Sequence, residues 1–303
     1  MSSGPVATPP PAASKGRVFV RRFLSSIVLW TAVISALFSG HQLLSDYFFL
    51  AIIMVLAGTG LVEFYGLLER SHLVCFKEWG VCGGLLLLAS TFAYLSGHGG
   101  AKLPPAKAND FETSFLILFV LGLCLRQFVA RSNTAGLIAI STTLFGLMYI
   151  PWLLNFIQKI KFLEADGRFY VFYFVVVTKF SDIGAYAVGT VIGRHKMIPR
   201  ISPGKTWEGL GGALAAATAS SLVFARLAGG RLPGMTAAHA TVLGLLLGGT
   251  AVIGDLIESL FKREAGVKDS GHWFPGIGGI LDLLDSLLFN APLMYLYLRH
   301  VLT

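Results

Sequence analysis

The chain has 303 residues, of which 54% are hydrophobic and only 13% are charged, and its mean hydropathy is +0.70. A soluble domain of this size carries about a quarter charged residues, so the composition excludes an ordinary soluble protein. The net charge is +8, but no nucleic-acid-binding pattern accompanies it. Membrane topology and anionic lipid headgroups explain the positive charge better than nucleic acid does.

Nine apolar stretches approach the length of about 20 residues that a helix needs to cross a bilayer. The sequence therefore predicts an all-α fold, a polytopic integral membrane helical bundle with about nine transmembrane helices. We divide it into a basic N-terminal tail, N-terminal transmembrane helices and a C-terminal transmembrane region that carries the motifs: 1–22, 23–168 and 169–303. The predicted spans are 23–39, 47–68, 78–97, 113–131, 135–157, 169–192, 208–228, 238–259 and 279–300.

The tail and the charged connections predict the orientation of the bundle. Residues 1–14 are rich in Pro, Ala and Ser, so we expect them to be disordered. The basic residues before the first span favour a cytoplasmic N-terminus under the positive-inside rule. The connections then expected in the cytoplasm hold eleven basic residues, and the others hold six. The eleven are Arg70, Lys77, Arg126, Arg131, Arg194, Lys196, Arg200, Lys205, Lys262, Arg263 and Lys268, and the six are Lys102, Lys107, Lys159, Lys161, Arg168 and Arg231.

Common catalytic signatures are absent from the sequence. Cys75, Cys82 and Cys124 lack the spacing of a metal site, and the seven histidines form no HExxH pair. The chain contains no Walker loop and no GxSxG elbow, so neither a P-loop ATPase nor a serine hydrolase has support.

Ionisable residues inside apolar stretches are the main functional signal, because such side chains usually face a cavity, pair with one another or mark a functional path. Asp255 with Glu258, and Asp282 with Asp285, are spaced i, i+3, which sets both carboxylates of each pair on one helical face. Paired carboxylates suit magnesium, although pairing with a lysine or arginine between helices stays open as a structural alternative. Glu63 is expected to be structural. The remaining ionisable residues that we single out in the apolar stretches are Lys179 and Asp182.

Two connections on the same predicted face have the composition of phosphate sites. Segment 202–206, Ser-Pro-Gly-Lys-Thr, supplies a cation and hydroxyls just before the next helix, whose N-terminus is a natural anion site. Segment 258–286 combines basic residues, a glycine-rich turn and two aspartates. Gly276, Gly278 and Gly279 let the backbone approach a ligand closely. These features indicate a nucleoside triphosphate with magnesium, although a plain basic loop is the alternative for 202–206.

Residues 259–285 resemble the signature of the phosphatidate cytidylyltransferase (CDP-diglyceride synthase) family. The shared features are a serine, a Lys-Arg pair, a Lys-Asp pair, a Pro-Gly-x-Gly-Gly turn and two aspartates three apart. Segments 182–186 and 202–209 also resemble that family, so the motifs span about a third of the chain. The signature residues here are Ser259, Lys262, Arg263, Lys268, Asp269, Pro275 to Gly279, Asp282 and Asp285.

Two positions depart from the family pattern. Many members have histidine where this chain has Ile277 and arginine where it has Leu283. Neither apolar side chain donates a proton or holds a phosphate. We interpret both polar residues as auxiliary, because the acids and cations of the signature are retained.

The resemblance implies that a phosphate oxygen of phosphatidic acid attacks the α-phosphorus of CTP, forming CDP-diacylglycerol and releasing pyrophosphate. It also implies that Asp255 and Asp282 hold Mg²⁺, with Asp285 as a further ligand or supporting acid. Whether a second, monovalent cation accompanies Mg²⁺ stays open. The other expected catalytic residues are Lys262, Arg263, Lys268 and Asp269, and the expected substrate-binding residues are Asp182, Ser202, Pro203, Lys205, Thr206, Ser259, Gly278 and Gly279.

The expected partners are CTP, phosphatidic acid and the lipid bilayer, with no nucleic acid, and a homodimer stays open. The motif loops are expected on the cytoplasmic face, which in a bacterium is that of the inner membrane. Two other functions are weighed: a CTP-dependent polyprenol or phytol kinase, and a transporter that uses intramembrane charge without catalysis. A CDP-alcohol phosphotransferase lacks support, because its aspartate-rich motif is absent from the sequence.

Overall fold

The computed structural model describes residues 15–97, 105–130, 135–163, 166–271 and 278–302. It confirms the helical fold class, because α-helices account for nearly all of the regular structure in these ranges. The helices are α1 (Lys15–Phe38), α2 (Gln42–Arg70), α3 (Lys77–Ser96), α4 (Pro105–Val129), α5 (Gly136–Leu147), α6 (Leu153–Leu163), α7 (Gly167–Val191), α8 (Trp207–Ala228), α9 (Ala237–Glu264) and α10 (Ile280–Tyr297). The strands are β1 (Lys196–Ile198) and β2 (Ser202–Thr206).

Among the described residues, eight helical segments are long and apolar enough to cross a membrane. A shorter apolar segment, Ile27–Phe38 in α1, accompanies them, in agreement with the prediction of about nine spans. The fifth predicted span corresponds to α5 and α6 together, which run as one segment from Gly136 to Leu163. A π-helical turn at Met148–Trp152 joins the two helices and contains Pro151, whose missing N–H removes one bond of the helical ladder.

Lys159 and Lys161 correct the predicted end of this span. Both were assigned to a connection, but α6 continues to Leu163 and buries both side chains. Lys161 Nζ lies 2.8 Å from Asp46 Oδ1 of α2. Lys159 Nζ lies 2.6 Å from Glu112 Oε2 of α4. By the same criterion Lys262 of α9, which is buried and paired with Glu258, also leaves the count. The expected cytoplasmic connections then hold ten of the eleven basic residues and the others hold four of the six.

A polar network surrounds the Lys159–Glu112 pair inside the bundle. The Asn155 side-chain amide donates to Glu112 Oε1 at 2.7 Å and to Thr91 Oγ1 at 3.0 Å. Asn155 and Thr91 are fully buried, so α3, α4 and α6 share hydrogen bonds that water does not reach. Interhelical bonds of this kind fix helix partners in a membrane bundle.

The last helix, α10, occupies the centre of the fold. It packs against α9, α6, α2 and α7, and its segment is the most buried of the candidate spans. The Asn290 side-chain amide donates to Thr178 Oγ1 of α7 at 2.9 Å and to the Leu247 carbonyl of α9 at 3.0 Å. These bonds hold the C-terminal helices in register around α10.

Helices α9 and α10 approach most closely at Gly254. A Cβ atom at this position would lie only 2.4 Å from the Asp285 carbonyl oxygen, so only glycine fits without a backbone shift. The next residue is Asp255. The close approach therefore brings an acid of α9 beside an acid of α10.

Strands β1 and β2 form an antiparallel hairpin between α7 and α8, which the sequence did not predict. The hairpin contains the Ser-Pro-Gly-Lys-Thr segment and ends at the N-cap of α8, where Thr206 Oγ1 accepts a hydrogen bond from Gly209 N at 3.1 Å. The predicted helix start after this segment is confirmed, because α8 begins at Trp207.

Candidate active site

A polar cavity of about 480 Å³ lies among α7, the hairpin, α8, α9 and α10. It contains residues from both motif segments, which the chain separates by two membrane spans. Arg263 also joins these segments directly, because its Nε donates to the Ile201 carbonyl at 3.1 Å. The sequence-predicted site residues that line the cavity are Asp182, Ser202, Lys205, Thr206, Asp255, Asp282 and Asp285.

Three carboxylates converge at one side of this cavity: Asp255 and Asp285 line it, and Glu258 is buried behind them. Asp255 and Glu258 lie on one face of α9, as their spacing predicted, and Asp285 joins them from α10. One oxygen from each lies within 4.8 Å of the others. Glu258 is fully buried, and its Oε1 has no hydrogen-bond partner within the described ranges.

Three lysines pair with the acids around the cavity. Lys205 forms an ion pair with Asp255, so the hairpin is held against α9. Lys262 forms ion pairs with Glu258 one turn away and with Asp282, whose Oδ1 lies 2.6 Å from its Nζ. The third lysine is Lys179 of α7, which pairs with Asp182.

Lys179 and Asp182 link α7 to α10. Lys179 Nζ donates to Asp182 Oδ2 at 3.2 Å, to the Leu283 carbonyl at 3.2 Å and to Ser286 Oγ at 3.3 Å. The Ser286 hydroxyl in turn donates to Asp182 Oδ2 at 3.3 Å. The sequence had singled out Lys179 as an intramembrane cation but gave it no role.

The charges of this cluster do not balance. Its carboxylates are Asp182, Asp255, Glu258, Asp282 and Asp285, and its lysines are Lys179, Lys205 and Lys262. If all are ionised, two negative charges are in excess inside a helical bundle, where uncompensated charge is costly. The excess, the converging oxygens and the unpaired Glu258 Oε1 fit a hard divalent cation, which prefers oxygen ligands.

Asp282 has a different environment from the three converging acids. Its Oδ2 accepts hydrogen bonds from Gly279 N at 2.7 Å and from Ser270 Oγ at 3.0 Å. Together with the Lys262 ion pair, these bonds fix the carboxylate at the start of α10. Its assignment as a magnesium ligand stays a prediction, as does the role of Lys262 toward a triphosphate.

Glu63 connects the N-terminal half of the chain to this site. Its carboxylate is buried and accepts hydrogen bonds from Ile280 N at 3.0 Å, Leu281 N at 2.8 Å and Ser270 Oγ at 3.2 Å. Because the Ser270 backbone N–H donates to Asp282 Oδ2 at 3.4 Å, Glu63 is connected to both the first turn of α10 and the loop before it. A single acid within the second apolar stretch was the only sequence signal of this contact.

The other predicted residues lie around the rim or at helix ends. Ser259 Oγ donates to Asp255 Oδ1 at 3.3 Å. Pro203, Arg263, Lys268 and Asp269 are exposed. Gly278 adopts a φ of 113°, a conformation that favours glycine, and Gly279 leaves room that a Cβ atom would take from Ser270 Oγ.

Of the two positions that depart from the family pattern, the structure describes only Leu283. Ile277, with Pro275 and Gly276, lies outside the described residues. Leu283 lies one residue after Asp282, and its side chain lines a second, apolar cavity. Its apolar character therefore matches its surroundings.

The fold and the site define an integral membrane protein whose helical bundle encloses a cavity lined by acids and lysines. The chain belongs to the Cytidylyltransferase family, whose family model matches residues 20–301. A phosphatidate cytidylyltransferase of Bacillus subtilis is 33% identical over 79% of this chain and 85% of its own length. One from Haemophilus influenzae is 30% identical over 90% of this chain and 96% of its own length. One from Mycobacterium tuberculosis is 34% identical, but the match covers 62% of this chain and only 58% of that protein.

Replacing Glu63 by Gln should destabilise the protein. The amide retains one acceptor oxygen but turns an NH₂ group toward a buried backbone N–H, which then lacks its partner at a cost of about 1–3 kcal/mol. Thermal unfolding in detergent measures the effect. Glu69→Gln is the matched control, since Glu69 lies on the same helix in an exposed ion pair with Lys77. Equal transition temperatures for both variants would contradict the role assigned to Glu63.

Proposed function

We propose that the chain is a phosphatidate cytidylyltransferase, which transfers CMP from CTP to phosphatidic acid and produces CDP-diacylglycerol and pyrophosphate. The observation that carries the proposal is the convergence of Asp255, Glu258 and Asp285 beside a cavity that Asp255 and Asp285 line together with Lys205. Family membership and the relatives named above support it. The rival kinase and transporter functions have no observation of their own in their favour.

Magnesium would be held by Asp255 and Asp285, with Asp282 on the same cavity as a further candidate ligand. When bound, the cation would neutralise charge on the phosphates of the nucleotide. Lys205, which pairs with Asp255, would face a phosphate of the nucleotide from the hairpin.

The residues of this chain would bind and orient the two substrates. Lys205, Ser202 and Thr206 offer a cation and hydroxyls beside the N-terminus of α8, which favours phosphate. Arg263, which contacts the hairpin, and Lys268 are exposed and would neutralise the leaving pyrophosphate. A phosphate oxygen of phosphatidic acid forms the new bond to the α-phosphorus of CTP, while the bond to the β-phosphate oxygen breaks. The attacking group is already an oxyanion, so positioning and charge stabilisation carry the catalysis.

We infer that the motif loops face the cytoplasm. Both lie on one side of the bundle, since Arg263 hydrogen bonds to Ile201 and Lys205 pairs with Asp255. The basic residues of the connections are concentrated on that side, as the positive-inside rule requires of a cytoplasmic face. In a bacterium this places the site at the inner face of the inner membrane.

Product analysis tests the function. Purified protein given CTP labelled at the α-phosphate, phosphatidic acid and magnesium should form a labelled CDP-lipid, and CTP labelled at the γ-phosphate should give labelled pyrophosphate only. Omission of magnesium or of phosphatidic acid should abolish the lipid product. Transfer of γ-label to a polyprenol or phytol would favour the kinase, and the absence of any labelled lipid would contradict both enzymes.

Variants of the acids test the metal site. Asp255→Asn and Asp285→Asn should lower turnover by about a hundredfold, because a catalytic cation supplies several kcal/mol of charge stabilisation. They should also raise the magnesium concentration needed for half-maximal rate. Asp282→Asn should raise that concentration as well if Asp282 is a ligand, and should lower only the maximal rate if it orients α10.

Glu264→Gln, an exposed acid on α9, is the matched control and should behave like the unchanged protein. Folded Asp255 and Asp285 variants with normal turnover and magnesium dependence would refute the assignment.

Cysteine labelling tests the orientation. In a chain without its three native cysteines, Cys at Pro203 or Gly266 should react with an impermeant reagent only when the cytoplasmic face is accessible. Both positions are exposed in the motif loops. Cys at Pro233, exposed on the connection between α8 and α9, should show the opposite sidedness and serves as the control. Labelling of Pro203 and Pro233 variants from the same side would contradict the topology.

A further inference from the structure

A second cavity, of about 600 Å³, lies among α1, α2, α6, α7 and α10. Its lining is apolar apart from Lys179 and Asp182, which lie together at one end. The volume is within the range of cavities that bind small ligands. We call this space the apolar cavity.

The apolar cavity meets the polar cavity at Asp182, which lines both. Lys179 lies one helical turn away and donates to Asp182 Oδ2 and to Ser286 Oγ at 3.2 and 3.3 Å. One turn of α7 therefore separates a region of ion pairs from a region of hydrocarbon side chains. A ligand that used both regions would need a charged group and an apolar chain joined at this point.

The apolar cavity also has a suitable length. Along α7 it extends from Asp182 back to Val171, a rise of about 16 Å at the helical repeat. Half of a hydrocarbon core of about 30 Å measures about 15 Å, which is the depth that the acyl chains of one leaflet fill. Val33 of α1 lies in the half of the cavity far from Asp182, because α1 ends beside the start of α7, where Phe38 packs against Phe169 with ring centroids 5.0 Å apart.

We propose that the apolar cavity holds an acyl chain of the phosphatidic acid substrate, with the lipid phosphate at the Lys179–Asp182 turn, facing the polar cavity. This inference rests on the proposed function and names where its lipid substrate binds. An apolar cavity inside a membrane bundle suits an alkyl chain, because the chain brings no polar atom that would lack a partner there. Leu283 adds to the apolar lining at the position where many family members have arginine.

Val33→Trp tests the proposal by filling the distal end of the apolar cavity. We expect kcat/KM for dioleoyl phosphatidic acid to fall by about tenfold or more, because a hydrophobic pocket discriminates by the methylenes it accepts. The value for dibutanoyl phosphatidic acid should change little, since its four-carbon chains are too short to reach Val33. The KM for CTP should be unchanged.

Val28→Trp is the matched control on the same helix. Val28 is 62% exposed on the outer surface of α1 and does not line the apolar cavity, so this variant should leave both lipids unaffected. Equal losses for long and short lipids in the Val33 variant, or no loss for either, would overturn the proposal.

Photolabelling provides a readout that does not require turnover. Phosphatidic acid with a diazirine at the end of one acyl chain, in nanodiscs, should label residues around Val33 and Val171, and unlabelled phosphatidic acid should compete. Labelling confined to outward-facing residues such as Val28 would overturn the proposal. If the protein formed no CDP-lipid but its cavity were labelled, the proposed function would fail while the lipid site stood.

Discussion

The first turn of α10 presents backbone N–H groups that have no partner within the helix, and it presents them inside a membrane bundle. Such groups need acceptors from the protein, because lipid offers none. Glu63 of α2 accepts from Ile280 and Leu281, and Asp282 accepts from Gly279. These hydrogen bonds fix the start of α10 and so set the direction in which its acidic side chains project. The helix that carries Asp282 and Asp285 is thus held by a residue more than 200 positions earlier in the chain.

The acid cluster shows why a functional site and a structural ion-pair network are hard to separate. Asp255, Glu258 and Asp282 each pair with a lysine, as the structural alternative predicted. Pairing accounts for only part of the charge, since the carboxylates outnumber the lysines by two. The lysines explain how the fold tolerates the acids, and the excess explains why a divalent cation suits the cluster. The two interpretations of the acids therefore apply together.

Sequence periodicity was sufficient for the helical architecture and for the shared face of Asp255 and Glu258, because both depend on spacing along one helix. Contacts between segments that are distant in the chain could not be predicted from periodicity. Nothing near Glu63 indicates that it reaches Ile280, and the hairpin between α7 and α8 is too short to show a strand pattern. Lys159 and Lys161 were misassigned for a related reason: a lysine near the end of an apolar stretch indicates a connection unless its buried partner is known.

The Lys159–Glu112 pair has a consequence for the order in which the bundle assembles. Lys159 lies near the end of the span Gly136–Leu163, where a lysine costs less than the figure of about 2.5–3.5 kcal/mol that insertion scales give for a helix centre. Helix α4, which carries Glu112, is synthesised before α6, which carries Lys159. The carboxylate is therefore already in the membrane when the lysine enters the bilayer. The pair therefore fixes the position of α6 in the bundle once the span has entered the bilayer. The packing of this later helix depends in that way on an acid that was synthesised before it.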